Sequence, residues 1–427
     1  MEKKKNILMI AYYFPPLGGS GALRPFKLAK YLPLYGWTPI VLTAANPDWY
    51  YARDPYLLFE LPMKAKVFKS FMFKSKWFYR LLNPLRNRKI DAFLRSYLIQ
   101  PDGQVGWIPF AYSKALQFLK KNDVHVIYST SAPLSCHLIA YLIKKKSSFP
   151  WVADFRDEWF ENPGFNFPTH FHRRLHYKLE GMIVRSCDKV MTAAPVFNQL
   201  LAKHCNDENK FSTITMGFDP DDFTANQTEN DYIYKKQKFT ITFSGLFYKS
   251  FKPTHFVKAA QELIDEGKIS SEGIKIQFIG ANSQKEIGIK DNYGICEFTG
   301  FVDHKKSLRY LKKADALLLL LSKERGKDVI PSKTFEYIAT GKPILAIVPP
   351  EGEIAKIIIK YSAGIVADYE NHDAIKNSLY TLYNCWKAGY YPFNHGAKNI
   401  SEYSQIQITE HFAHLIEKLL ERHSETK

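Results

Sequence analysis

From Asp328 to Pro343 the chain reads Asp-Val-Ile-Pro-Ser-Lys-Thr-Phe-Glu-Tyr-Ile-Ala-Thr-Gly-Lys-Pro, a run whose charged residues fall at helical spacing. Pro331 suits the first helical position, where its missing N–H costs nothing. The unpaired N–H groups and the dipole of such a first turn attract an anion, and Ser332 and Lys333 sit at that end, the lysine adding a full positive charge. Glu336 lies about one turn further on, where a carboxylate can accept hydrogen bonds from two ribose hydroxyls while phosphates occupy the helix end. The residues equally allow a plain amphipathic helix that buries Phe335, Ile338 and Ala339 and leaves Lys333 and Glu336 solvated.

The flanking sequence favours the chemical reading. Ala314–Leu321 before the helix and Pro343–Val348 after it read as fully buried strands. A helix N-terminus beyond the carboxyl end of a parallel strand is where open α/β sheets bind ligands.

With these residues in view, the sequence resembles the retaining glycosyltransferases of family 4, and the wording from Pro331 to Leu345 is most similar to the subgroup that builds bacterial surface polysaccharides. The family's two acidic residues separated by seven others correspond to Asp328 and Glu336, with Asp standing where Glu is more usual. The resemblance implies the GT-B fold, an α/β architecture of two doubly wound Rossmann-like domains facing a cleft. It also implies a nucleotide-diphosphate sugar as donor, with Asp328 contacting the transferred sugar.

Three further clusters flank predicted strands. Gly18 and Gly19, in the loop after the first strand, let the backbone approach a ligand closely, though an ordinary tight turn would look the same. The loop is not a GxGxxG fingerprint, which disfavours hydride chemistry. The resemblance sets this pair against the donor diphosphate, and Arg24 lies one turn into the next helix, within reach of the same region on the acceptor side. Gly245 ends the first strand of the second half. Leu246 follows it where the family commonly has Arg, so Lys249 or Lys252 must join Lys333 in neutralising the diphosphate. Arg156 and Asp157 follow another strand and form either a structural ion pair or, by position in the family, part of the catalytic apparatus.

No metal or other cofactor is expected. His170, His172 and His176 have no acidic or cysteine partner at ligand spacing and read, with Arg173 and Arg174, as a basic patch. Fixed cations and helix ends can stabilise a leaving diphosphate unaided.

The elements that must position these residues follow from length and periodicity. At 427 residues and 46% hydrophobic content, about two domains are expected. Strand and helix alternate from Asn6 to Thr215 and again from Phe239, and Gly217–Lys238 reads as the connection. The expected divisions are residues 1–216, an acceptor-binding domain, and 217–400, a nucleotide-sugar-binding domain. Residues 401–427 form a last helix that, by the resemblance, crosses back to the first domain. Five scattered cysteines form no metal or disulfide pattern, which suggests a reducing, cytoplasmic compartment. No apolar run approaches the ~18–20 residues that span a bilayer.

Charge is divided unevenly. Residues 1–215 hold 31 Lys and Arg against 15 Asp and Glu, whereas residues 216–427 hold 28 against 27. Such a basic half meets something anionic. Within it, Lys64–Arg95 carries ten Lys and Arg against Asp91 alone, interleaved with aromatics, and includes Lys74, Lys76, Trp77 and Arg80. A basic aromatic helix of this kind suits the surface of an anionic membrane, the inner face in a cytoplasmic protein; it equally suits a core helix with solvated lysines. Nucleic acid is not expected, because no nucleic-acid motif accompanies the charge.

Together these features read as a metal-independent hexosyltransferase acting on a glycan or lipid-pyrophosphate-linked acceptor. The rivals are a nucleotide-sugar epimerase or hydrolase of the same fold, and a non-catalytic basic protein that binds membrane or RNA.

Overall fold

The computed structural model describes residues 5–47, 53–74, 88–162, 165–224, 238–245, 247, 252–321, 327, 329–393 and 396–425. The chain divides into two units: Met1–Thr215 with Ile408–Lys427, and Met216–Gln407.

The first unit is built on a seven-stranded, all-parallel sheet of order β3-β2-β1-β4-β5-β6-β7. Its strands are β1 (Lys5–Ile10), β2 (Trp37–Ala44), β3 (Lys66–Ser70), β4 (Val126–Ser131), β5 (Trp151–Phe155), β6 (Lys189–Thr192) and β7 (Phe211–Thr213). Helices α1 (Ser20–Tyr31), α2 (Arg88–Leu98), α3 (Ile108–Leu119), α4 (Ser135–Lys144), α5 (His170–Ser186) and α6 (Pro195–Ala202) connect them. The central strands are apolar on both faces because both are covered: Leu8 and Ile10 pack in one layer with Ile127 and Trp151, Ile7 and Met9 in the other with Val126 and Phe26. From Ile408 onward the last helix closes this second layer through Phe412, Ile416 and Leu419.

The second unit repeats the plan with six parallel strands in the order β10-β9-β8-β11-β12-β13. They are β8 (Phe239–Ser244), β9 (Ile274–Ile279), β10 (Cys296–Gly300), β11 (Ala316–Leu320), β12 (Ile344–Ile347) and β13 (Gly364–Ala367). Its helices are α7 (Asp221–Thr224), α8 (Thr254–Asp265), α9 (Gln284–Ile287), α10 (His304–Lys313), α11 (Lys333–Ala339), α12 (Glu353–Lys360) and α13 (His372–Ala388), and α14 (Gln405–Glu425) leads back to the first unit. Strand order reverses direction between β1 and β4 in one sheet and between β8 and β11 in the other. Loops diverge at such points and leave a crevice at the carboxyl ends of the strands.

Two expectations change. Lys64–Arg95 is not one basic helix, because Lys66–Ser70 forms the outer strand β3 against β2. Lys66 and Lys69 are exposed there, and edge lysines discourage further strand pairing. The motif helix begins at Lys333 and not at Pro331. Thr334 N donates to Pro331 O at 3.0 Å and Phe335 N to Ser332 O at 3.3 Å, so the chain enters through tight three-residue turns.

Candidate functional site

In the second unit the switch point brings β8 and α11 together. Phe243 and Ser244 end β8, and Gly245 follows with φ 141°. A Cβ on Gly245 would lie 3.2 Å from Lys333 Nζ, so glycine leaves room for the lysine to close on the strand end. Lys333 Nζ donates to Ser244 O at 3.2 Å and sits 4.0 Å from the centroid of the Phe243 ring. Tyr337, one turn along α11, accepts from Ser244 N at 2.8 Å through its buried hydroxyl. Ser244 Oγ also meets Ser307 Oγ of α10 at 2.8 Å. Strand end and α11 are therefore fixed to each other by three contacts, and α10 adds a fourth through Ser307.

The ammonium is held in an unfavourable place. Burial pushes the Lys333 pKa down to about 7, with Glu336 opposing the shift. A carbonyl and an aromatic face replace part of its hydration but bring no full counter-charge. An anion bound here would supply one.

Glu336 is half-buried and faces His304, the first residue of α10, with His304 Nε2 4.0 Å from Glu336 Oε1. The same Nε2 lies 3.2 Å from Asp222 Oδ2, while Lys312 Nζ donates to Asp222 O at 2.7 Å. Sequence reasoning missed His304 and Asp222. They stand 82 residues apart and neither falls in a motif, although Asp303 as a helix cap marks where α10 begins.

Of the other expected donor residues, Ser332 is the N-cap of α11, without a side-chain capping bond. Lys252 is exposed and its Nζ lies 2.8 Å from where a Cβ of Gly288 would stand, at the end of α9. Asp328 and Lys249 lie outside the described residues, as do Lys76, Trp77 and Arg80. Lys74 is described, and its Nζ reaches Pro47 O at 3.4 Å.

In the first unit, Gly18 is buried and Gly19 is exposed at the start of α1 with φ 85°. The loop is anchored where Asp54 N donates to Pro16 O at 2.9 Å. Arg156 donates to Gly21 O at 2.6 Å and to Ala132 O at 3.3 Å, tying together the start of α1 and the loops after β4 and β5. A Cβ on Gly21 would crowd the Arg156 guanidinium at 3.2 Å. Asp157 is exposed beside it.

Arg24 has a different place from the one expected. It is 3% exposed and grips Asp154 with two bonds of 2.9 Å, then donates to Ile214 O at 2.8 Å and Thr215 O at 3.1 Å. Tyr128 and Thr130 complete the carboxylate's shell. Arg24 is consumed by the fold, because a buried carboxylate at the end of β5 requires a cation. Two of the three histidines likewise leave the surface, while His170 stays exposed: His172 meets Tyr97 O at 3.0 Å, and His176 meets Gln100 Oε1 at 2.6 Å and the Trp159 indole at 2.9 Å. Burial takes the His176 pKa down to about 4, so it is a neutral core residue and not part of a basic patch. Among the described residues no three His, Cys, Asp or Glu side chains are grouped to hold a metal ion. No described helix is long and apolar enough to cross a membrane.

Comparison with known proteins accords with this geometry. Residues 226–397 match the family model described as glycosyl transferases group 1, a stretch that contains the β8–α11 contacts. No curated protein matches the chain in sequence. Solved structures similar to it over their whole length include sucrose-phosphate synthase from Thermosynechococcus elongatus, with 13% identity, 98% of this chain and 100% of that one covered, and a TM-score of 0.65. HepE from Anabaena, in complex with UDP and glucose, has 12% identity, 99% of each chain covered and a TM-score of 0.59. An α,α-trehalose-phosphate synthase (UDP-forming) from Burkholderia vietnamiensis has 9% identity, 98% of this chain and 99% of that one covered, and a TM-score of 0.61. The chain therefore has the GT-B fold along its length, and residues 226–397 are similar to the glycosyl transferases group 1 family.

Proposed function

We propose that this protein is a retaining hexosyltransferase of family 4 that moves a sugar from a nucleotide-diphosphate sugar to a glycan or lipid-pyrophosphate-linked acceptor in cell-surface polysaccharide synthesis. The observation that carries this reading is the pairing of Lys333 and Glu336 on one short helix, at the switch point of the second sheet and inside the matched stretch. An ammonium set against a carbonyl and an aromatic face suits a diphosphate, and a half-buried carboxylate one turn away suits a ribose. That HepE has been solved with UDP-glucose supports a donor of the same class.

In this reading the acceptor hydroxyl attacks the anomeric carbon from the leaving-group face as the bond to the diphosphate breaks. A phosphate oxygen takes the hydroxyl proton, and Lys333 with Lys249 or Lys252 neutralises the leaving group without a metal. Gly18, Gly19 and Gly245 are assigned to the diphosphate, and Asp328, Arg156 and Asp157 to the transferred sugar. His304, which meets Asp222, faces the Glu336 carboxylate. Glu336→Gln keeps the shape but removes the charged acceptor, so nucleoside diphosphate affinity should fall by ~1.5–3 kcal/mol with the fold intact. Calorimetry with UDP and GDP checks this, and unchanged affinity for whichever the parent binds would remove Glu336 from the ribose site.

The acceptor reading rests on the basic first half, and with it a cytoplasmic, peripheral place on the inner membrane face. On β3 and just after it, Lys69 is exposed beside exposed Phe71 and Phe73. Each surface cation contributes on the order of 1 kcal/mol to binding an anionic bilayer, so neutralising Lys69, Lys74, Lys76 and Arg80 together should abolish cosedimentation with anionic vesicles. Equal pelleting of variant and parent would refute this docking segment.

A further inference from the structure

The first unit contains a second concentration of charge that shares no residue with the sites above. An open groove of about 880 Å³ runs between α14 and the edge formed by the end of α5, β6 and β7. Its size falls in the range of small-molecule sites, about 300–1,000 Å³. Arg185, Lys189, Lys210, Lys418 and Arg422 line it, drawn from three separate parts of the chain.

Two acids also line the groove, Asp188 and Asp207. Asp188 is already committed, its carboxylate accepting from Lys144 Nζ at 2.6 Å and Trp151 N at 2.7 Å. Asp207 caps the turn before β7, accepting from Asn209 N at 3.0 Å. Lys189 donates to Asn209 O and Lys210 Nζ to Arg185 O at 2.9 Å, so backbone carbonyls hold both lysines in place. Lys418 and Arg422 stand one turn apart on α14, both exposed. Burial, and next the charge of Arg422, lower the Lys189 pKa; Asp207 opposes and Lys418 adds to the shift, so these groups feel one another. In addition, His423 Nε2 is shielded from solvent with no hydrogen-bond partner among the described residues. Like charges gathered on a concave surface raise the local potential and concentrate anions.

We propose that this groove binds a phosphate-bearing anion of two or more negative charges, with Lys189, Lys418 and Arg422 as its principal contacts. The shared chemistry is a phosphate group, supplied either free in solution or as the headgroup of an acidic lipid. The site lies within the first unit and does not depend on the donor reading.

The test uses the full chain at low salt, with Lys418→Gln/Arg422→Gln as the groove variant. Lys120→Gln/Lys121→Gln serves as a control of equal charge change, at exposed positions of the same unit. Inorganic pyrophosphate is titrated by calorimetry, and vesicles of phosphatidylglycerol in phosphatidylcholine are tested by sedimentation. A tenfold or greater loss of pyrophosphate affinity, or loss of one of two binding events, in the groove variant alone supports a site for free phosphate groups. Unchanged pyrophosphate binding with vesicle binding weakened tenfold or more in the groove variant alone supports a lipid headgroup. The proposal is overturned if neither probe binds the parent, if the groove variant matches the parent for both, or if the control is weakened as much as the groove variant.

Discussion

Lys333→Ala should lower turnover far more than it lowers donor affinity. The charge matters most when the diphosphate departs, and removing one preorganised electrostatic group of this kind costs roughly a hundred- to a thousand-fold in kcat. A second signature follows from the depressed pKa. With its pKa near 7, most of the Lys333 amine is neutral at pH 8 in the empty site, and a bound diphosphate restores the ammonium. Nucleoside diphosphate binding should therefore take up a proton at pH 8 and scarcely any at pH 6, and affinity should fall as pH rises above 7. Calorimetry in buffers of different ionisation enthalpy reads the uptake. Equal kcat in variant and parent at saturating donor, or no uptake at pH 8, would contradict this role.

The largest effect on stability is expected at Arg24 and Asp154. Burial alone would raise the Asp154 pKa, but Arg24 and the hydroxyls of Tyr128 and Thr130 hold it below its ordinary value. A depressed carboxylate contributes stability that is present above its unfolded pKa of about 4 and lost as pH falls through the folded value. Arg24→Ala leaves the carboxylate buried without its cation and should cost ~3–5 kcal/mol. Arg24→Met/Asp154→Leu removes both charges and should recover much of that loss, since a buried pair is often replaceable by apolar residues of similar volume. Urea unfolding followed by the fluorescence of Trp151 and Trp159, both buried in this unit, measures each variant. A cost within 1 kcal/mol for Arg24→Ala would show that the pair does not hold the unit together.

The contrast between Lys333 and Arg24 shows what sequence could and could not reveal. The motif was legible because its members are local: Ser332, Lys333 and Glu336 lie within five residues, between two apolar runs long enough to be recognised as buried parallel strands. Arg24 was read from its neighbours in sequence, whereas its structural partner Asp154 is 130 residues away. His304 escaped for the same reason, since Asp222 and Glu336 reach it only when α7, α10 and α11 pack. β3 was obscured by chemistry: an outer strand with lysines at Lys66 and Lys69 resembles the start of a basic helix until its pairing with β2 is seen. His172 and His176 of α5 looked basic because burial, which neutralises His176, has no local signature.

The most direct test of the central claim combines a panel of nucleotide-diphosphate sugars with glycan and lipid-pyrophosphate acceptors and follows nucleoside diphosphate release and the anomeric configuration of the product by NMR. The account predicts release that accelerates when acceptor is added, transfer without added metal, and a product whose anomeric configuration is that of the donor. Acceptor-dependent transfer with inverted configuration, or no binding and no turnover of any donor in the panel, would contradict it.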